Sequence, residues 1–170
     1  MKVKIKRLHK NAVIPYRKHD TDFCFDCVAV SEEEVAPNVW RYGLGFALQI
    51  DRGIVPMVVS TTCHGGRVAD HYTMMDFSRS PLTLSIDARP RSSVWETGMI
   101  LSNCEGTIDE AYTGEISAVF YHLLPDMPRY KVGDRVCQIK IGVTIPMDFV
   151  EVAELDDTDR GNNGYGSTGK

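Results

Sequence analysis

Most of the chain alternates apolar and polar residues with a period of two. In Lys2-Val3-Lys4-Ile5-Lys6 the apolar residues fall on one face and the lysines on the other, the pattern of an edge strand with one solvated side. Strands are also predicted over 41–50 (RYGLGFALQI), 54–60 (IVPMVVS), 81–86 (PLTLSI), 116–123 (ISAVFYHL), 136–141 (VCQIKI) and 149–153 (FVEVA), with Gly, Pro, Asn and Asp between them at short intervals. Little room is left for helix beyond a turn or two at 93–96 and a weaker site at 32–34. The pattern predicts an all-β chain, a compact antiparallel barrel or sandwich.

Between residues 61 and 81 the alternation lapses. The segment TTCHGGRVADHYTMMDFSRSP holds Gly65-Gly66 and two histidines, and it reads as an extra loop, long for a small β domain. His64 and His71 with Asp70 or Asp76 are metal-ligating types, but a seven-residue spacing in a loop fixes no geometry, so they read as surface residues. Residues 11–23 are also loop-like. The chain from 156 onward is glycine-rich and predicts a mobile tail that orders only over a ligand or partner. The expected organisation is a single β domain over 1–155 and a closing tail over 156–170.

Composition narrows the partners. Nineteen Lys and Arg against 23 Asp and Glu give a net charge of −4, which disfavours a nucleic-acid polymer as partner while leaving a local anion pocket open. No apolar run reaches the roughly 18 residues of a membrane span, and the first thirty residues lack a secretory pattern, so a cytoplasmic location with no membrane contact is expected. Five cysteines form no two-pair zinc pattern. Cys24-Phe25-Asp26-Cys27 has the spacing of a redox or metal pair but reads as small buried residues in or beside a strand.

Four blocks carry candidate chemistry. Arg91 in Pro90-Arg91-Ser92-Ser93 offers a fork for phosphate, and Ser92 and Ser93 offer donors around the same anion, although an ordinary capped turn has the same signature. Asn103 to Asp109 ends in a carboxylate beside a β-branched residue, suited to deprotonating a water while the backbone reads a planar base. Gly133-Asp134-Arg135 reads as a turn that leads into a strand carrying Gln138. Arg160 to Gly169 supplies a cation, an aromatic ring, two hydroxyls and glycine backbone, a combination suited to a lid over a nucleotide. It is not a Walker A loop and follows no βαβ unit.

In their order along the chain, PRSSVWETG, NCEGTIDEAYTGEI, GDRVCQI and RGNNGYGSTG resemble the motifs of the trimeric deoxyuridine triphosphate nucleotidohydrolases, the dUTPases. The resemblance implies a distorted jelly-roll-like β-barrel with at most one short helix, assembled as a homotrimer with active sites shared between subunits. It implies that Arg91, Ser92 and Ser93 hold phosphate oxygens, that Asn103 and the backbone of Thr107, Ile108 and Asp109 read uracil, and that Asp109 activates the attacking water. Tyr112 would lie beneath the deoxyribose and Gln138 would meet the α-phosphate. From the tail, Tyr165 would cover the base while Arg160, Ser167 and Thr168 close over the outer phosphates. Mg²⁺, held mainly by the triphosphate and waters, would touch Asp26 indirectly, and dUTP would yield dUMP and diphosphate.

The sequence departs from the family pattern in places. Phe23 and Cys24 replace the usual small residues before Asp26, Tyr165 stands for phenylalanine, Asn163 for glycine, and Thr113 for an arginine of many members. Two alternatives stay open: a dCTP deaminase of the same superfamily, for which Glu105 or Glu115 would supply the glutamate, and a nonhydrolytic nucleotide- or protein-binding relative.

Overall fold

The computed structural model describes residues 1–64 and 67–161. Its strands are β1 (Lys2–Arg7), β2 (Phe25–Val28), β3 (Ser31–Ala36), β4 (Val39–Gly43), β5 (Phe46–Asp51), β6 (Ile54–His64), β7 (Arg67–Asp76), β8 (Thr83–Arg89), β9 (Met99–Leu101), β10 (Gly106–Asp109), β11 (Ser117–His122) and β12 (Arg135–Thr144). One 3₁₀ turn, Ser92–Glu96, is the helical element among the described residues. Two four-stranded sheets run in the orders β10-β8-β12-β2 and β3-β4-β11-β9, and β1-β5 and β6-β7 form two-stranded sheets. The fold is mostly β with minimal helix, as expected, but no sheet closes on itself as a barrel among the described residues.

The period-two reading holds where one face is buried. Leu84, Ile86 and Ala88 of β8, and Ala118 and Phe120 of β11, point into one core with Leu44, Phe46 and Val136. Its centre is an edge-to-face group of three rings, Tyr42, Phe120 and Tyr130, with centroids 5.4 to 6.1 Å apart. β1 pairs with β5 alone and exposes Lys2, Lys4 and Lys6, the edge strand its alternation predicts.

Four readings are corrected. Residues 41–50 are two strands, because Gly45 has φ +71° and turns the chain from one sheet into another. A Cβ at Gly45 would lie 2.6 Å from Val30 Cγ2, so the bend requires glycine. The 61–81 segment is no loop over most of its length, since β6 and β7 form a long antiparallel hairpin from Ile54↔Asp76 to His64↔Arg67. Among the described residues these strands pair only with each other and join neither four-stranded sheet. Residues 32–34 lie in strand β3 rather than helix. Residues 149–153 form no strand, and Phe149 is 93% exposed.

Candidate active site

Antiparallel pairing of β2, β12 and β8 sets Asp26, Gln138 and Arg89 in one row. Asp26 is fixed from the other side by Tyr16, whose N–H donates to the Asp26 carbonyl at 3.2 Å and whose carbonyl accepts the Asp26 N–H at 2.8 Å. Beyond Arg89 the chain leaves β8 extended at Arg91 and enters the 3₁₀ turn, which brings Arg91 over β2. Arg91 Nε donates to Asp26 Oδ1 at 2.8 Å, and Arg135 Nη1 donates to Asp26 Oδ2 at 2.9 Å. Arg91 Nη1 also donates to Ser93 Oγ at 3.1 Å, and Gln138 Nε2 donates to the Pro90 carbonyl at 2.9 Å.

The result is a cleft of about 480 Å³ lined by Arg17, Lys18, Arg91 and Arg135 with Asp22 and Asp26, besides Ser92 and Gln138. Four cations against two carboxylates leave a positive wall, and one carboxylate orients two guanidinium groups on it. Such a surface is complementary in charge to an anion.

A second site lies at the opposite edge of the same sheet. β10 pairs with β8, with Thr107 opposite Asp87 and Asp109 opposite Ser85. Ile108 packs on the core, so Thr107 and Asp109 present their side chains outward. The Asp109 carbonyl accepts the Tyr112 N–H at 3.0 Å, closing a turn. Tyr112 Oη then donates to the Glu115 carbonyl at 3.1 Å, and its ring lies on Gly114, where a Cβ would sit 2.4 Å from that hydroxyl. A cleft of about 250 Å³ is lined by Thr107, Ile108, Asp109, Tyr112, Glu115 and Ser117. Asp109 carries no side-chain ion pair among the described residues, which suits an exposed base beside a half-exposed aromatic ring.

The two clefts share no lining residue within one chain. Asp109 is level with Ser85 and the cationic wall begins at Arg89, a step of about 13 Å along β8 at roughly 3.3 Å per residue. A proton acceptor must come within about 3 Å of the proton it takes, directly or through one water, so one chain does not present Asp109 to its own cationic cleft.

Of the expected site residues, Arg91, Ser92, Gln138 and Asp26 meet in the first cleft, with Ser93 bonded to Arg91. Thr107, Ile108, Asp109 and Tyr112 meet in the second. Asn103 is exposed and lines neither, but its amide lies close to Gly106, 3.3 Å from where a Cβ would be. Arg160 is exposed and lines neither cleft. Tyr165, Ser167 and Thr168 lie outside the described residues. Sequence reasoning missed Arg135, read as part of a turn, and Arg17 and Lys18, read as loop. A signal for Arg135 lay in its position three residues before Gln138 in GDRVCQI.

The remaining candidates are engaged by the fold. Glu105 pairs with Arg89, and Glu115 Oε1 accepts the Gly45 N–H at 2.9 Å. Cys27 is fully buried opposite Cys137, while Cys24 lines the cationic cleft, so Cys24 and Cys27 are not a facing pair. Contact with Cys137, then burial, pushes the Cys27 thiol well above its ordinary pKa. Among the described residues no three His, Cys, Asp or Glu side chains gather in a metal-holding group.

The comparisons agree with the motif order. The dUTPase family model matches residues 76–169. The chain is 32% identical to the deoxyuridine 5'-triphosphate nucleotidohydrolase of Helicobacter pylori, covering 99% of this chain and 97% of that protein, and 34% identical to the protein of the same name from Corynebacterium glutamicum, covering 99% and 95%. In fold it resembles the G164S mutant of the Staphylococcus bacteriophage 80alpha dUTPase solved with dUpNHpp, with a TM-score of 0.69 at 18% identity over 99% of both chains. It also resembles a dUTPase variant of S. aureus phage phi11 whose structure reveals coordination of a structural Mg(II) ion, with a TM-score of 0.62 at 16% identity over 92% of this chain and all of that one. A family model over more than half the chain, and relatives matched nearly end to end, place the chain in the dUTPase family.

Proposed function

We propose that the protein hydrolyses dUTP to dUMP and diphosphate in an active site completed between copies of the chain. The observation that carries this reading is the separation of the exposed Asp109 and Tyr112 from the cationic cleft of Arg91, Arg135 and Gln138 on the same sheet. Each half matches one end of a nucleoside triphosphate, and a neighbouring copy supplies the other half.

In the assembled site, Thr107 and Ile108 offer the base edge and Tyr112 the floor under the sugar. Arg91, Ser92 and Ser93 hold phosphate oxygens, and Gln138 reaches the α-phosphate. Asp109 accepts a proton from the water that attacks the α-phosphorus; the bond to the bridging oxygen breaks, and diphosphate leaves with the electron pair. The tail residues Arg160, Tyr165, Ser167 and Thr168 close over the nucleotide and exclude water.

Both Asp26 oxygens already accept from guanidinium groups, so Asp26 does not form a protein cage for a metal; it fits a water-mediated contact to Mg²⁺ carried by the triphosphate. When bound in that way, Mg²⁺ neutralises charge on the phosphates and the leaving diphosphate.

The assembly we propose is a homotrimer. Its support is the segment after β12, where Ile145, Met147, Phe149, Val150 and Leu155 stand largely exposed between Asp148, Glu151 and Glu154. β1 offers an edge unpaired among the described residues, three lysines and an apolar groove of about 230 Å³ lined by Val3, Ile5, Ile14 and Phe25, complementary in both character and charge.

The test is a panel of dNTPs and UTP with Mg²⁺, following diphosphate and ammonia together. Diphosphate from dUTP is expected in preference to the others, with no ammonia from dCTP. Equal turnover of every dNTP, or ammonia from dCTP, would overturn the assignment.

A further inference from the structure

We propose that Arg52 and Glu110 are a positioning pair for Asp109, a role that rests on the reading of Asp109 as the base. Arg52 lies between β5 and β6, at the entrance to the β6–β7 hairpin. All five N–H groups of its guanidinium have acceptors. Nε and Nη2 fork onto Glu110 Oε1 and Oε2, each at 2.6 Å. Nη2 also donates to the Leu82 carbonyl at 2.9 Å, while Nη1 donates to the carbonyls of Phe77 at 3.3 Å and Ser80 at 3.1 Å. One side chain therefore ties the two feet of the hairpin, the residue just before β8, and the residue just after β10.

The consequence falls on Asp109. β10 is a four-residue edge strand that pairs with β8 alone, and its last pairing is Asp109 with Ser85. Past that point the chain turns back through Tyr112. Adjacent residues of an extended chain project to opposite sides, so drawing Glu110 inward onto Arg52 turns Asp109 outward into its cleft. The Glu110 side chain is only 24% exposed, whereas Asp109 is exposed.

An ion pair that merely joined two surface side chains would contribute little and would leave the neighbouring residue where it was. This one spends three of its five donors on backbone carbonyls and holds both oxygens of the carboxylate, so it fixes main chain rather than charge alone. Lysine cannot replace it, having three donors and no planar fork.

The test compares full-length Arg52→Lys and Glu110→Gln with the unaltered protein as assembled species. A misplaced reacting group at unchanged binding surface lowers kcat by about 10- to 100-fold, while KM and affinity for dUpNHpp stay within about threefold. The double variant should be no slower than the worse single one, since either change releases the same turn. A kcat at the unaltered value, or a rise in KM alone, would overturn the proposal, even with a lowered Tm. Hydrogen–deuterium exchange over residues 107–112 supplies a readout without turnover: it should quicken in Glu110→Gln, which keeps the side-chain shape. Unchanged exchange there would overturn the pair on its own. A protein that hydrolyses no dUTP would condemn the proposed reaction, and the exchange comparison would still decide whether the pair holds the Asp109 turn.

Discussion

Asp26 and Gln138 stand opposite each other on β2 and β12, and through them the cationic wall is set by strand register rather than by a loop. Asp26 gives one oxygen to Arg91 and the other to Arg135. Asp26→Asn keeps one acceptor but points an N–H at the other guanidinium. With the assembly intact, kcat/KM for dUTP should fall by about tenfold or more, as expected when anion-positioning groups lose their orientation. Steady-state kinetics on the purified variant checks this, and an unchanged value would remove Asp26 from the site.

Asp109→Asn separates chemistry from binding. The substitution preserves size and removes the base, and a positioned general base contributes about 10² to 10⁴ in rate. Turnover should fall by that amount, while calorimetric titration with dUpNHpp still detects binding through Arg91, Ser92 and Gln138. Near-normal turnover would assign the proton to another group.

Ending the chain after Leu155 removes Arg160 and Tyr165 but leaves Asp109 in place. Affinity and turnover for dUTP should both suffer, because closing contacts that exclude water act on the bound substrate and on the transition state. A truncated protein of full activity would show that the tail takes no part.

Acid should destabilise the fold through two carboxylates. The Arg52 guanidinium bonded to Glu110 holds its pKa below the ordinary value, and Arg129 does the same for Glu32, with Arg129 Nη2 donating at 3.1 Å. A lowered folded-state pKa gives stability that is present above the unfolded value, near 4.3, and lost as pH falls through the folded one. Tm should therefore be level from pH 7 to about 5 and fall below about 4.3. Glu32→Gln should weaken that fall, as followed by circular dichroism, and an equal slope would exclude this pair as a source.

The exposed apolar run after β12 predicts an assembly defect. Phe149→Asp and Val150→Asp place charges where a neighbour is proposed to pack, so light scattering should report a species smaller than the proposed trimer, with loss of dUTP turnover. A trimer unaffected by both would place the subunit contact elsewhere.

What was legible in the sequence follows from where one physical pressure dominates. β1 was read correctly because its lysines and its apolar residues alternate onto opposite faces, whereas 41–50 looked like one strand because a positive φ at Gly45 leaves no mark on the pattern. β2, β9 and β10 are three or four residues long, too short to show a period. Arg91, Ser92, Thr107, Asp109, Tyr112 and Gln138, which line the two clefts, were legible as candidates because they sit in contiguous motifs. Arg135 enters the site through cross-strand register and Arg17 and Lys18 through the Tyr16–Asp26 bridge. Arg52 was invisible because three of its acceptors are carbonyls, which every residue has, and its carboxylate partner lies 58 residues away.

The self-paired β6–β7 hairpin also says something about how this scaffold can change. Its two feet are closed by Arg52, and its strands take no place in the sheets that carry the two clefts. Beyond its base, where Val55 and Met75 pack against the core, the length of the arm is thus decoupled from the registers that set Asp109, Asp26 and Gln138. A longer arm, a shorter one or a grafted peptide at this position would leave those registers as they are. The same chain could therefore acquire a new appendage without renegotiating its chemistry.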